Sequence, residues 1–253
     1  MTAPRTPSFA AVRATADGPS SSTILRRRIA SVAGHIEDEQ AARRAFDDPA
    51  APVRASGLVA LIRMKRLTKL DFHTALADES PLLRSRLCET AGLISAAEPQ
   101  PATTRHDRVP PSQEDVLAGL SRLLDDPVPA VVEAACFGIG EATTASSGDD
   151  AEPATDELVS KLSQISRNHP DLLCRESAVA ALGSIGAPDG LSAVIEAMGG
   201  KPALRRRAIV ALAAFDHAEA SAAVERALSD RDWQVRQAAE DLCDSPRDSP
   251  APS

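Results

Sequence analysis

The sequence predicts an all-α chain, an α-solenoid of about six stacked helix pairs. Three observations carry that prediction. A motif marked by an arginine recurs along the chain at a nearly even period. Apolar residues inside each copy fall at helical spacing. Aromatic residues make up only 2% of the chain, with no Tyr, against 43% hydrophobic residues overall. Ala, Leu and Val must then do the packing, which suits closely approaching helices better than a β-sandwich.

The six copies are "DPAAPVRASGLVAL", "DESPLLRSRLCETA", "DPVPAVVEAACFGI", "HPDLLCRESAVAAL", "GGKPALRRRAIVAL" and "DRDWQVRQAAEDLC". Their anchor residues are Arg54, Arg84, Val132, Arg175, Arg205 and Arg236, spaced by 30, 48, 43, 30 and 31 residues. A unit of about 30 residues leaves excesses of about 18 and about 13 in the two long intervals. Pro-rich 96–113 and Gly/Ser/acid-rich 143–155 account for them and read as loops inserted between units.

Each unit reads as two helices. Helix B begins at the anchor, and counting from it, apolar or small residues fall at −1, +3, +7 and often +10. In the first unit these are Val53, Gly57, Leu61 and Met64; in the fifth, Leu204, Ala208, Leu212 and Phe215. That is one face of a helix. Helix A precedes it, as in "DEQAARRAF" or "SAAVERAL", and Asp or Pro in the joint supplies turn chemistry. Asp48, Asp78, Asp126 and Asp230 lie six residues before an anchor; His169 and Gly199 hold that place in the other two units. A single pair cannot bury its apolar stripe, whereas a stack can.

The domain reading follows: a disordered N-terminal tail over 1–21, the solenoid over 22–243 with a capping helix at "STILRRRIASVAGH", and a disordered tail over 244–253. Formal net charge is −8, which argues against broad nucleic-acid binding. No apolar run approaches the roughly 20 residues needed to span a bilayer, and the N-terminus has no signal-peptide core. Cytoplasmic residence is the default expectation. Cys88, Cys136, Cys174 and Cys243 form no C-x-x-C and read as small core residues.

The D-x-x-x-x-V-R-x-x-A-x-x-x-L pattern, as in "DPAAPVRASGLVAL" and "DRDWQVRQAAEDLC", resembles HEAT-repeat proteins, in particular the short-repeat class named after phycobilisome lyases. The resemblance covers roughly 36–243. It implies that the joint Asp and the helix-B Arg tie adjacent repeats together, which assigns Asp48 with Arg54, Asp78 with Arg84 and Asp230 with Arg236. Arg175 and Arg205, whose joints lack Asp, are left without a role. The same resemblance implies, as an alternative function, a lyase subunit or chaperone handling a tetrapyrrole or other cofactor on a partner protein.

Catalytic residues are not indicated. The five histidines are scattered, there is no H-E-x-x-H, P-loop or G-x-S-x-G, and no cofactor or metal is called for. "GSIGAPDG" reads as a helix end. Trp233 reads as a lid on the last unit. The Arg26–Arg28 and Arg205–Arg207 triplets splay around their helices, so neither is a compact patch by itself; the first, combined with Arg43, Arg44, Arg63, Lys65, Arg66 and Lys69, could give a basic N-terminal end.

The outer side of the B helices is more informative. Positions +1, +5 and +8 point away from the seam and carry Val59, Ile62, Phe137 and Val210 among Glu133, Glu176 and Arg206. Such a mixture describes a concave groove for a protein partner. The competing explanation is that superhelical curvature buries +5 against neighbouring helices. The expected role on the first reading is a non-catalytic scaffold or adaptor.

Overall fold

The joints set the architecture, because each stops one helix and starts the next. The computed structural model describes residues 20–96, 109–145 and 156–244. Its helices are α1 (Ser21–Ile36), α2 (Glu39–Phe46), α3 (Ala51–Arg63), α4 (Lys69–Leu76), α5 (Pro81–Glu89), α6 (Ala91–Ser95) and α7 (Gln113–Leu123). There follow α8 (Pro129–Ala145), α9 (Asp156–Asn168), α10 (Leu172–Ile185), α11 (Leu191–Ala197), α12 (Pro202–Leu212), α13 (Ala218–Ala227) and α14 (Trp233–Asp244). No strand occurs among the described residues. The protein is an α-solenoid.

Helix starts follow local chemistry. Thr68 and Ser112 close capping boxes with Asp71 and Asp115. Ser20, Asp38 and Asp171 accept from first-turn amides. Proline opens α3, α5 and α12, where its missing N–H costs nothing. Gly186, in the left-handed region at φ 65°, ends α10.

Helices α2, α4, α7, α9, α11 and α13 form the A row. The B row is α3, α5 with α6, α8, α10, α12 and α14. The second B helix breaks at Thr90, whose hydroxyl donates to the Arg86 and Leu87 carbonyls and bends the chain there. Helix α1 takes the B place of a preceding unit, with Arg26 at its anchor. In every later unit the −1 residue is buried, from Val53 through Val235. In α1 the equivalent Leu25 and Ile29 are exposed, and no helix A precedes α1 among the described residues.

Residues 1–19, 97–108, 146–155 and 245–253, which include most of the expected tails and loops, lie outside the described residues. At their edges α8 runs on through Ala145, past the expected loop start at 143, and α7 begins at Gln113.

Cys88, Cys136 and Cys174 sit in the core as read from the sequence; Cys243 is exposed. Burial pushes the Cys88 thiol up to about 12 and that of Cys174 up to about 11. Neither has the character of a reactive thiolate. Trp233 leaves 64% of its surface exposed, so it does not close the last unit as expected.

Candidate partner-binding face

The units are joined by an arginine ladder offset by one unit. Arg54 grips the Asp78 carboxylate of the following joint through Nε at 2.9 Å and Nη2 at 2.8 Å. Its Nη1 donates to the Asp48 and Pro49 carbonyls of its own joint. Arg84 repeats this with Asp126 at 2.7 and 3.0 Å, and with the Asp78 carbonyl. Arg205 does so with Asp230 at 2.9 and 2.7 Å, and with the Gly200 carbonyl. Arg26 of α1 holds Asp48. Each of these aspartates also accepts from the amide two residues on, which fixes its turn.

The sequence assignment of Asp48 with Arg54, Asp78 with Arg84 and Asp230 with Arg236 is therefore corrected in register. Within a unit the Arg binds the Asp carbonyl, and the carboxylate belongs to the Arg of the unit before. The guanidinium reaches the next joint because the stack places it alongside. The exceptions then resolve. Val132 and His169 are the two halves of one missing rung. Arg205, which had no role, is 4% exposed and fully paired. Arg175, facing Gly199, donates instead to the Ser166 carbonyl at 2.8 Å. Arg236 binds the Asp230 carbonyl and has no carboxylate among the described residues.

The guanidinium hydrogen bonds from Arg26 and Arg205 hold the Asp48 and Asp230 carboxyls below the usual range. A carboxyl whose pKa is lower folded than unfolded stabilises the fold above the ordinary Asp value, about 3.9. That stabilisation is lost as pH falls through the folded value. These two rungs should thus be indifferent to pH from 7 to 5 and weaken below about 4. Thermal melts followed by circular dichroism across that range check it: Asp230→Asn should start less stable and fall less steeply in acid.

The row of B helices is drawn tight by glycines. A Cβ on Gly34 would lie 2.9 Å from Ala60 Cα, and one on Gly183 would lie 2.7 Å from Ala211 Cα. Gly140 faces Ser184 and Ala181 more loosely, with a Cβ there 3.2 Å from the Ser184 hydroxyl and 3.5 Å from Ala181 Cα, and one on Gly92 would lie 3.0 Å from Glu141 Cβ. All four sit at +8. The B helices accordingly pack closely against one another, while the A helices touch less, so the B row lies on the inside of the curve.

This overturns part of the expected groove. Position +8 faces the next B helix, and Ile62 is 6% exposed, part of the core. Position +5 forms the ridge on the inner face. Phe137 is 49% exposed and Val210 62%, with Val59 half-buried. Curvature leaves Phe137 and Val210 open. Glu133, Glu176 and Arg206 are half-buried beside this ridge, and Arg206 bonds Gln234.

Sequence reasoning missed two neighbouring positions on the same face, −2 and +9. They add exposed Leu82, Leu173 and Leu93. Helical geometry places −2, +5 and +9 in one line, a signal available from the wheel. Two clefts indent the face. One, of about 380 Å³, lies between α1, α3 and α5 and includes Arg27, His35, Val59, Arg63 and Arg86 in its lining. The other, of about 300 Å³, is lined by Glu89, Gly92, Leu93, Glu141, Thr144 and Ala145. No group of three metal-ligating side chains gathers among the described residues. No described helix is long and apolar enough to cross a membrane.

A family profile described as HEAT repeats matches residues 159–242. Residues 159–242 are thus similar to HEAT repeats, and the described residues as a whole form an α-solenoid of stacked helix pairs. Two engineered proteins of known crystal structure are similar to this repeat protein at a TM-score of 0.52 each. The first is 13% identical over 81% of this chain and 96% of its own. The second is 14% identical over 88% and 64%. Their likeness shows the solenoid fold. A designed armadillo repeat protein in complex with a (KR)4 peptide aligns at a TM-score of 0.49, with 15% identity over 87% of this chain and 97% of its own. No curated protein sequence matches the repeat protein.

Proposed function

We propose that this repeat protein is a non-catalytic scaffold that binds an extended segment of a partner protein along its inner face. One observation carries the reading: exposed Phe137, Leu173 and Val210 follow one another across α8, α10 and α12, flanked by Glu133, Glu176 and Arg206. Apolar side chains in a line with a charged border are the anatomy of a protein interface. The stack supplies a rigid platform, because each helix pair is held by its neighbours. Val59 continues the ridge towards the N-terminal end.

Phe137→Asp and Val210→Asp test the reading. Val210 is mostly in water, so thermal unfolding of Val210→Asp should change by less than about 0.5 kcal/mol; Phe137 is about half exposed, and Phe137→Asp should lose about 1 kcal/mol. Each should weaken a partner captured and cross-linked from native cells by about tenfold or more. Loss of thermal stability with the partner retained would defeat the interface. Absorbance titration with haem and a linear tetrapyrrole runs in parallel, and a spectral change on binding would replace the scaffold by a cofactor-handling role.

A further inference from the structure

The cleft between α1, α3 and α5 differs from the rest of the inner face in its charge. Arg27, Arg63, Arg86 and His35 contribute to its wall, and no carboxylate lines it among the described residues. Acids outnumber Lys and Arg by 36 to 28 in this chain, and Arg26, Arg43, Arg54, Arg84, Arg167 and Arg205 all hold acidic partners. Arg27 and Arg63 have no acidic partner among the described residues. Instead Arg63 Nη1 donates to the His35 ring, 3.0 Å from Nδ1, a contact that brings no negative charge to the guanidinium. Arg86 pairs with Glu89 one turn on, at a site open to water where such a pair is worth little. The floor is kept low by Gly34, packed on Ala60.

We propose that this cleft receives acidic side chains from an extended partner segment, so that the partner carries Asp or Glu over α1–α5. The inference rests on the scaffold reading and adds the partner's chemistry. Forked guanidinium donors match carboxylates geometrically. A nucleic acid, charged along its whole length, fits less well. Beyond the cleft the same face turns acidic at Glu89, Glu133, Glu141 and Glu176, which would repel a continuous polyanion. A peptide concentrates its acids over the first three B helices and continues onto Leu93 and Phe137 with uncharged residues.

Fluorescence anisotropy with labelled peptides decides it. The probes are a peptide of about 12 residues with a glutamate run followed by alanine and leucine, its lysine counterpart, and an oligodeoxythymidine of similar length. The glutamate peptide should bind, weaken with added salt, and lose about tenfold or more in affinity in Arg27→Glu/Arg63→Glu. Both arginines are exposed, and unchanged melting of this variant and of the milder Arg63→Gln confirms folding. Binding that survives charge reversal overturns the proposal. So does equal or tighter binding of the lysine peptide or the oligonucleotide. Absence of peptide binding also overturns it, as does a dimer in sedimentation that Arg63→Glu dissolves. These outcomes leave the capture by Phe137 and Val210 to be judged separately, so a scaffold whose partner is not acidic remains distinguishable from no scaffold.

Discussion

Arg205→Ala should destabilise the C-terminal half of the solenoid by about 3–5 kcal/mol, the usual result of removing one member of a buried ion pair. Arg205 is almost wholly enclosed, and its three nitrogens are used by both Asp230 oxygens and the Gly200 carbonyl. Truncation strands the Asp230 carboxylate in a turn where its remaining partner is the Asp232 amide. Arg236→Ala is the matched control. That residue makes the carbonyl contact but has no carboxylate among the described residues, and its loss should cost about 1 kcal/mol. Replacing Arg205 and Asp230 together by apolar residues should recover part of the loss, because no unpaired charge remains. A repeat stack need not unfold in one step. Hydrogen exchange resolved by helix is therefore the suitable readout, with the loss centred on α12 to α14. Equal effects of Arg205→Ala and Arg236→Ala would show that the offset rung contributes nothing.

Gly183→Leu should cost about 3 kcal/mol and push α10 and α12 apart. Even Gly183→Ala should destabilise. A helix gains about 1 kcal/mol when Ala replaces Gly, but the new Cβ would meet the Ala211 Cα and Cβ at 2.7 Å, and backbone cannot give way as a side chain can. Gly140→Ala, at the same +8 position one unit earlier, should be neutral or stabilising. Its nearest neighbour is the Ser184 hydroxyl at 3.2 Å, which can rotate aside. Denaturant unfolding of the two variants side by side tests the contrast. A consequence for binding follows, since the spacing of α8, α10 and α12 sets the distances between Phe137, Leu173 and Val210.

The contrast between these positions also separates what one unit's sequence can say from what it cannot. Val53, Leu83, Val131, Cys174, Leu204 and Val235 were legible as core, because burial at −1 follows from helical period and the packing of a helix on its own partner. Ile62 was not. A wheel drawn for one helix has an outward side, and only the next B helix turns that side inward. The glycines at +8 were visible in the sequence, but their purpose appears only when Ala60, Ala181 and Ala211 are set against them.

The sequence alone therefore determined the helix pair, its period, the number of copies and the seam residues. All of these come from interactions within about 30 residues, where local periodicity and turn chemistry dominate. The tertiary structure decided which aspartate each arginine holds, which face lies inside the curve, and that Arg27, His35, Arg63 and Arg86 share a cleft. The physical reason is that these depend on the rise and rotation from one unit to the next. Close packing of neighbouring helices sets that geometry, and no single repeat records it.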